Sequence, residues 1–304
     1  MARGGFEKLL FALRYSLLAG FLVSTPAFAQ VQLATIPAHP ALWTVHSKTA
    51  TVYLFGSIHL LPPNVNWHTP EIDKAMESAA TFYFEAPLDP AGQAEIADFV
   101  RKNGLLPDGT TLRSLLDRKM LADYLRACTK AQMAPELLDR ERPWLAAIAL
   151  DVAYLQQMHY VVADGVDQQV YAFASAHGRT VHAFETPAEQ LSLFMPKDQK
   201  LELEEFDVEM RELQTEQETI GAMVDAWSDG DARKVGELMN KDMEDEPDAK
   251  KILIDDRNKH WIKALDAVLA GTGVTFVTVG AGHLAGPKGV PALLRAEGYS
   301  VEGP

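Results

Sequence analysis

Two histidines of this 304-residue chain stand in the same short pattern, in which a glycine precedes the imidazole by three positions. Gly56 to His59 reads GSIH and follows the apolar run TVYLF, whereas Gly280 to His283 reads GAGH and follows VTFVTV. Such a glycine lets the backbone turn sharply and stay close to a ligand. Paired imidazoles suit the binding of a divalent metal ion or acid–base catalysis. For either histidine alone, the competing interpretation is a strand cap that bonds to the backbone.

Two glutamates occupy the corresponding position after two further apolar runs. Glu85 ends TFYFE, and Glu185 ends TVHAF. A carboxylate in this position could ligate a hard metal ion or take a proton from a water molecule. The competing interpretation is an ordinary salt bridge, for which Arg257 is a candidate partner.

The four apolar runs that precede these residues are typical of β-strands, and helical segments separate them. We therefore predict an α/β fold in which helices flank a central sheet. A large helical insertion is expected at about residues 90–180, and the two strand–Gly-x-x-His units form a pseudo-repeat. In an open α/β sheet, ligands bind beyond the carboxyl ends of the strands. Both histidines and both glutamates are thus expected at one rim of the sheet.

The composition is that of a globular protein, with 47% hydrophobic and 23% charged residues, and we expect one domain over residues 30–304. The chain has 28 basic and 42 acidic residues, a net charge of −14, which disfavours nucleic acid as a partner. A single cysteine, Cys128, excludes an intrachain disulfide. The acidic stretch from Leu201 to Glu218 is expected to form a solvated helical face.

Residues 1–29 have the pattern of a secretory signal peptide. Arg3, Lys8 and Arg14 precede or begin the short apolar run YSLLAGFLV, and the small-residue motif AFA ends at Ala29. We therefore expect cleavage near Ala29 and export to the periplasm or the extracellular space. No stable membrane anchor is expected to remain after cleavage.

Several further segments join these motifs in a family resemblance. They are GSIHLL at 56–61, the strand-end Glu85, GVDQQV at 165–170, FETPAEQ at 184–190, DDRN at 255–258 followed by Trp261, and VGAGHLAGPKGVPALLRAEGY at 279–299. In these segments the chain resembles the TraB/GumN family, which includes the animal Tiki proteins, from about residue 40 onward. The resemblance implies an α/β fold related to the erythromycin-esterase and ChaN-like proteins.

The resemblance also implies a site and an activity. Tiki proteins are divalent-metal-dependent proteases that favour manganese or cobalt, whereas bacterial GumN-like members are encoded near exopolysaccharide genes and mostly lack an assigned activity. Carried over by position, the site comprises His59, Glu85, Glu185, Arg257, Asn258 and His283. No C-terminal membrane anchor like that of Tiki proteins is expected, so membrane-bound substrates are not implied.

The resulting hypothesis is a metal-dependent, Tiki-like peptidase that acts on a peptide or small-molecule substrate. His59 and His283, with Glu85 or Glu185, would hold one ion, Mn²⁺ or Co²⁺, and the remaining glutamate would take a proton from water. Arg257 or Asn258 would stabilise the oxyanion. One alternative is a non-catalytic protein linked to exopolysaccharide production that binds haem or a glycan. Another is metal-free hydrolysis with a histidine as the base. The sequence indicates neither the substrate nor an oligomeric state.

Within GVDQQV, Asp167 follows Gly165 by two positions, so two interpretations are open for its side chain. It could cap a helix, or it could take part in the site that the family resemblance implies. Ser57 lies in GSIH and not in a Gly-x-Ser-x-Gly elbow, so a serine hydrolase is not expected.

Overall fold

The computed structural model describes residues 34–304 apart from 197, 214–215 and 243–246, so the signal peptide expected at 1–29 lies outside the described residues. Within this range the strands are β1 (Ile36–Pro37), β2 (Leu42–His46), β3 (Ala50–Ser57), β4 (Val65–Asn66), β5 (Thr81–Phe84), β6 (Thr180–Ala183), β7 (Gly273–Gly280) and β8 (Ser300–Glu302).

The helices of the same range lie mostly between β5 and β7. They are α1 (Pro70–Ser78), α2 (Pro90–Asn103), α3 (Leu112–Leu115), α4 (Arg118–Lys130), α5 (Pro143–Gln157), α6 (Val166–Ala176), α7 (Pro187–Ser192), α8 (Gln199–Glu212), α9 (Glu216–Ser228), α10 (Ala232–Asp242), α11 (Pro247–Lys250), α12 (Asp256–Ala270) and α13 (Val290–Ala296). Short 3₁₀ turns span Pro135–Leu138, Val162–Asp164 and Ala281–Leu284, and a π-helical turn spans Lys251–Asp255.

Six strands form the central sheet in the order β6-β5-β7-β3-β2-β8. The four strands β6, β5, β7 and β3 run parallel, whereas β2 and β8 are antiparallel to their neighbours. The prediction of an α/β fold with a central, helix-flanked sheet is therefore confirmed. Ser57 pairs with Gly280, so the two Gly-x-x-His segments leave the sheet side by side.

The central strands contain no charged residue and are mostly apolar, as expected for strands whose two faces are both covered by helices. On one face, Leu54 and Val277 pack with Trp261 and Leu265 of α12. On the other face, Phe276 packs with side chains of α1, α6 and α9. This packing holds β3, β5 and β7 at the centre and leaves their carboxyl ends at one rim.

The acidic stretch that was expected to be solvated is in part buried, so that prediction is wrong for three of its glutamates. Glu202, Glu205 and Glu209 of α8 are only 2%, 6% and 1% exposed. The reason is that α8 packs between α4 and α5 and has little free surface on those sides. Glu202 forms an ion pair with Arg142 at 2.7 Å, which offsets the cost of burying its charge.

The last helix, α13, begins at Val290, because the preceding residues form a turn in which the Gly289 amide donates to the Gly286 carbonyl at 3.1 Å. Among the helices of the described ranges, none combines the length and the apolar character that a membrane span needs.

Candidate functional site

The four strand-end residues converge because their strands are adjacent and parallel. His59 and Glu185 lie two residues beyond β3 and β6, Glu85 lies directly after β5, and His283 lies three residues beyond β7. Helix α12 adds the two remaining residues through its first turn. The structure thus brings together all six residues that the sequence singles out: His59, Glu85, Glu185, Arg257, Asn258 and His283.

The glycines of the two motifs make room for this convergence. A Cβ on Gly56 would lie 2.9 Å from the Ala281 Cα, so a larger residue would push the two motif segments apart. A Cβ on Gly280 would lie 3.2 Å from Glu85 Oε1 and 3.5 Å from His59 Nε2. Gly280 has a φ of −50°, which any residue can adopt, so close approach and not backbone freedom explains this glycine.

Arg257 lies at the centre of the site and is buried, with 6% of its side chain exposed. Its Nη2 donates to Glu85 Oε2 at 2.6 Å and to Glu185 Oε2 at 2.8 Å, and its Nε donates to Glu185 Oε1 at 2.7 Å. The salt bridge considered for the strand-end glutamates is therefore present, and it joins both of them. Two ion pairs of this kind hold the carboxylates in fixed orientations.

His283 is enclosed by α12. The Asn258 amide donates to the carbonyls of His283 and Lys288, at 3.2 and 2.9 Å, so its Oδ1 is the atom that accepts from His283 Nδ1, at 2.7 Å. Arg257 Nη1 lies 3.0 Å from His283 Nε2 and can only donate, so Nε2 accepts. The Trp261 ring packs 4.4 Å from the imidazole. Burial, with the nearby guanidinium, lowers the pKa of His283 to about 3.

His59 is held by a carboxylate instead. Its Nδ1 forms a close ion-pair contact with Asp167 Oδ2. Burial has the largest single effect and would lower the pKa of His59, but the charge and hydrogen bond of Asp167, together with the charge of Glu85, outweigh it and raise the pKa. Asp167 does not cap α6, since the helix begins at Val166 after the N-cap residue Gly165 and has no side-chain cap, and its carboxylate contacts His59 instead. Gly165 also makes room, because a Cβ there would overlap the His59 carbonyl.

Two side chains that the sequence did not single out complete the hydrogen bonding of the glutamates. Gln190 Nε2 donates to Glu85 Oε2 at 3.1 Å, and Trp261 Nε1 donates to Glu185 Oε1 at 2.9 Å. Gln190 ends the segment FETPAEQ, and Trp261 follows the segment DDRN. Their place in these segments of the family resemblance was the signal that could have assigned them to the site. The Gly280 amide donates to Glu85 Oε1 at 2.6 Å.

The two glutamates differ in protonation behaviour. Burial alone would raise the pKa of Glu85, but Arg257 foremost, together with both histidines, lowers it to about 2. Burial raises the pKa of Glu185, and its bonds to Arg257 offset this only in part. Glu85 is thus a stable anion, whereas Glu185 is the carboxylate that accepts a proton more readily.

The charges of the site favour a cation. The site holds the three carboxylates of Glu85, Glu185 and Asp167 but one buried guanidinium, Arg257, which pairs with the two glutamates, whereas Asp167 pairs with His59. The excess is therefore two negative charges when both imidazoles are neutral and one when His59, whose pKa is raised, carries a proton. A divalent cation would balance this excess, since buried charge is costly unless it is paired.

The types of donor atom, imidazole nitrogen and carboxylate oxygen, suit a divalent metal ion. His283 Nε2 lies 3.8 Å from Glu85 Oε1, and both imidazoles have Nδ1 fixed by a partner, as metal-ligating histidines do. Across the described ranges, however, no three His, Cys, Asp or Glu side chains stand in the positions of a formed metal centre. Arg257 donates a hydrogen bond to His283 Nε2. This nitrogen has a single lone pair, so the hydrogen bond would have to break before Nε2 could bind a metal ion.

Comparison with known proteins agrees with the motifs and the geometry. No curated protein matches the chain. The sequence profile of the TraB/PrgY/gumN family, in contrast, matches residues 41–303, a range that contains every residue of the site described above. The chain therefore belongs to the TraB/PrgY/gumN family.

Proposed function

We propose that this protein is a divalent-metal-dependent hydrolase, exported from the cytoplasm, whose substrates are peptides. The observation that carries the proposal is the convergence of two Nδ1-anchored imidazoles and the Glu85 carboxylate around Gly280. The excess negative charge of the site supports a cation at this position. The proposed export relies on the signal-peptide pattern of residues 1–29.

In this proposal, His59, His283 and Glu85 hold the ion, with Mn²⁺ or Co²⁺ as the candidates. When bound, such an ion polarises a carbonyl group and lowers the pKa of water. Glu85 contributes Oε1, because its Oε2 accepts from Arg257 and Gln190. Glu185 is less suited as a ligand, since its two oxygens hold Arg257 and Trp261.

Glu185 is the candidate general base. Its pKa is raised by burial, which brings its proton affinity closer to that of a base working near neutral pH. Its Oε2 accepts a hydrogen bond from Arg257, and a carboxylate oxygen can accept a second bond from water. Arg257 is the candidate for stabilising a developing oxyanion through Nη1, the donor that now faces His283. Asn258 positions His283.

A second candidate function is metal-free hydrolysis with His59 as the base. It is favoured by the contact between His59 Nδ1 and Asp167, because a carboxylate in this place orients an imidazole and stabilises its protonated form. The two candidates make opposite predictions for chelator. Metal-dependent hydrolysis ends in excess chelator, whereas hydrolysis by the His59–Asp167 pair continues.

The test is hydrolysis of a peptide library by purified protein, with chelator, Mn²⁺ or Co²⁺. We expect activity with added metal. His283→Ala should lower this activity by more than about 100-fold, because the loss of a metal ligand should have a larger effect than the loss of a residue that only hydrogen-bonds to a ligand. His177→Ala, which changes an exposed histidine, is the matched control. Full activity of His283→Ala would refute the assignment. Tight binding of haem or a glycan without turnover would favour the non-catalytic alternative.

A further inference from the structure

Gln190 is a buried, uncharged side chain that reaches into the charged centre of the site. Only 2% of the residue is exposed, and its Nε2 donates to Glu85 Oε2 at 3.1 Å. A carboxamide adds no net charge to the site. Its contribution is directional, because an N–H donor favours one orientation of the carboxylate that accepts it.

The position of Gln190 is set by the short helix α7, which starts two residues after Glu185. Thr186 and Glu189 form a reciprocal capping box: the Glu189 amide donates to Thr186 Oγ1 at 3.2 Å, and the Thr186 amide donates to Glu189 Oε2 at 2.8 Å. This cap fixes the first turn of α7 relative to the end of β6. The helix then carries Gln190 back to Glu85, on the neighbouring strand.

Glu85 receives hydrogen bonds from three directions. Arg257 and Gln190 donate to Oε2, and the Gly280 amide donates to Oε1. Oε1 is also the oxygen that lies 3.8 Å from His283 Nε2. Arg257 and the Gly280 amide hold one oxygen each, and Gln190 is the second donor at Oε2, so it further restricts rotation of the carboxylate and helps to keep Oε1 directed at the imidazoles.

We propose that Gln190 is a positioning residue that orients Glu85 for metal binding and thereby sets the affinity of the site. This inference rests on the proposed function, because it assumes that Glu85 is a ligand. Outer partners of metal ligands commonly change metal affinity by about 10- to 100-fold when they are removed. Gln190→Met keeps the length of the side chain and removes the donor, so it isolates this bond.

The test is calorimetric titration of Mn²⁺ into chelator-treated, full-length protein. We expect Gln190→Met to bind Mn²⁺ about 10- to 100-fold more weakly than the wild type. Gln93→Met is the matched control, since it makes the same substitution at a half-buried position of α2, and its affinity should stay within about twofold of the wild type. Thermal unfolding in chelator measures any purely structural effect of each substitution.

The outcomes separate this inference from the proposed function. Equal Mn²⁺ affinity of the wild type and Gln190→Met would overturn the positioning role, even if the variant melts at a lower temperature. Absence of Mn²⁺ and Co²⁺ binding in the wild type would instead overturn the proposed function. If Gln190→Met does not fold, Gln190→Asn replaces it, because its carboxamide is one methylene short of Glu85 and weaker binding is expected again.

Discussion

The two Gly-x-x-His segments share a pattern and a place in the fold but differ in their surroundings. Both follow buried parallel strands that are neighbours in the sheet, and both imidazoles are held through Nδ1. His59 contacts a carboxylate, Asp167, and its side chain is 12% exposed. His283 contacts the amide of Asn258 and a guanidinium, and its side chain is 3% exposed.

This difference separates the protonation behaviour of the two histidines. The pKa of His59 is raised because Asp167, together with the charge of Glu85, outweighs burial, whereas burial and Arg257 lower the pKa of His283. The motif therefore sets where each imidazole lies, and side chains from α6 and α12 set its charge. His283 is suited to be a neutral ligand, and His59 is the histidine that can also carry a proton.

Among the substitutions that test the difference between the two Gly-x-x-His segments, removal of the Arg257 guanidinium should have the largest effect. We expect Arg257→Met to lower the free energy of unfolding by about 3–5 kcal/mol at neutral pH, because Glu85 and Glu185 would remain buried without their cation. The folded-state pKa of Glu85 is depressed, so the stability that its pairing contributes is present above the ordinary carboxyl pKa. It is lost as the pH falls toward about 2.

The measurement for Arg257→Met is urea unfolding at neutral pH and again near pH 4. Arg101→Met is the control, since Arg101 forms an exposed ion pair with Asp98, and we expect a change of at most about 1 kcal/mol there. The loss in Arg257→Met should shrink at the lower pH. A loss under about 1 kcal/mol at neutral pH would show that Arg257 is not the main charge partner of the glutamates.

Removal of the carboxylate that contacts His59 should have the next largest effect. We expect Asp167→Asn to cost about 1.5–3 kcal/mol near pH 6, since a charge-assisted hydrogen bond is lost. The folded-state pKa of His59 is raised, so the stability of its protonated pair with Asp167 is fully present below the ordinary histidine pKa. It is lost as the pH rises through the raised value, so the substitution should cost less near pH 9.

Unfolding of metal-free Asp167→Asn at both pH values tests this, and Asp73→Asn is the matched control. Asp73 pairs with His68 at 2.6 Å, but both side chains are 44% exposed, so at most about 1 kcal/mol is expected. Proton NMR titration of the wild type should show His59 titrating above the ordinary range and His283 staying neutral down to about pH 3. The reverse order of the two histidines would contradict the comparison.

Two glycines test how rigidly each segment is held. A Cβ on Gly165 would overlap the backbone carbonyl of His59, whereas a Cβ on Gly282 would overlap the flexible end of Met239. We expect Gly165→Ala to cost about 1–3 kcal/mol through overpacking, and Gly282→Ala to cost less, because the Met239 side chain can move. Thermal unfolding of both variants measures the difference, and equal losses would mean that the His59 segment can shift.

The strands and the rim could be predicted from the sequence because they depend on local patterns. TFYF and VTFVTV contain no charged residue and are rich in β-branched and aromatic side chains, which indicates buried parallel strands, and the residues that follow such strands lie at the carboxyl rim of the sheet. His59, Glu85, Glu185 and His283 were found in this way. The structure brings them together, whereas their chemical roles stay predictions.

The sequence indicated Arg257 as a candidate partner of the glutamates, but the partners Asp167 and Gln190 could not be predicted in the same way. Asp167 lies 108 positions from His59, and Gln190 lies 105 positions from Glu85, so no local pattern joins them. Their contacts depend on how α6 and α7 pack beside the sheet. The burial of Glu205 and Glu209 has the same origin, since the sequence of α8 does not show that α4 and α5 enclose it.

The smallest effect is expected from Trp261→Phe, which concerns the aromatic side of the His283 environment. Phenylalanine keeps a ring beside the imidazole but loses the donor that bonds Glu185 Oε1 at 2.9 Å. Trp144→Phe is the matched control, because Trp144 is also buried and its Nε1 makes only a long contact, 3.4 Å, to the Asn103 carbonyl. Both variants lose similar buried area, so the difference in unfolding free energy reports the bond to Glu185.

We expect Trp261→Phe to lose about 1 kcal/mol more than Trp144→Phe in urea unfolding. The Trp261 donor also lowers the pKa of Glu185, so its loss should raise that pKa further. If Glu185 is the base, the acidic limb of the pH–activity profile must then move to higher pH in Trp261→Phe, because the base has to be deprotonated to act. An unmoved limb together with the expected loss of stability would show that Trp261 supports Glu185 as a structural anion, and the base would have to be sought at His59, on the other Gly-x-x-His segment.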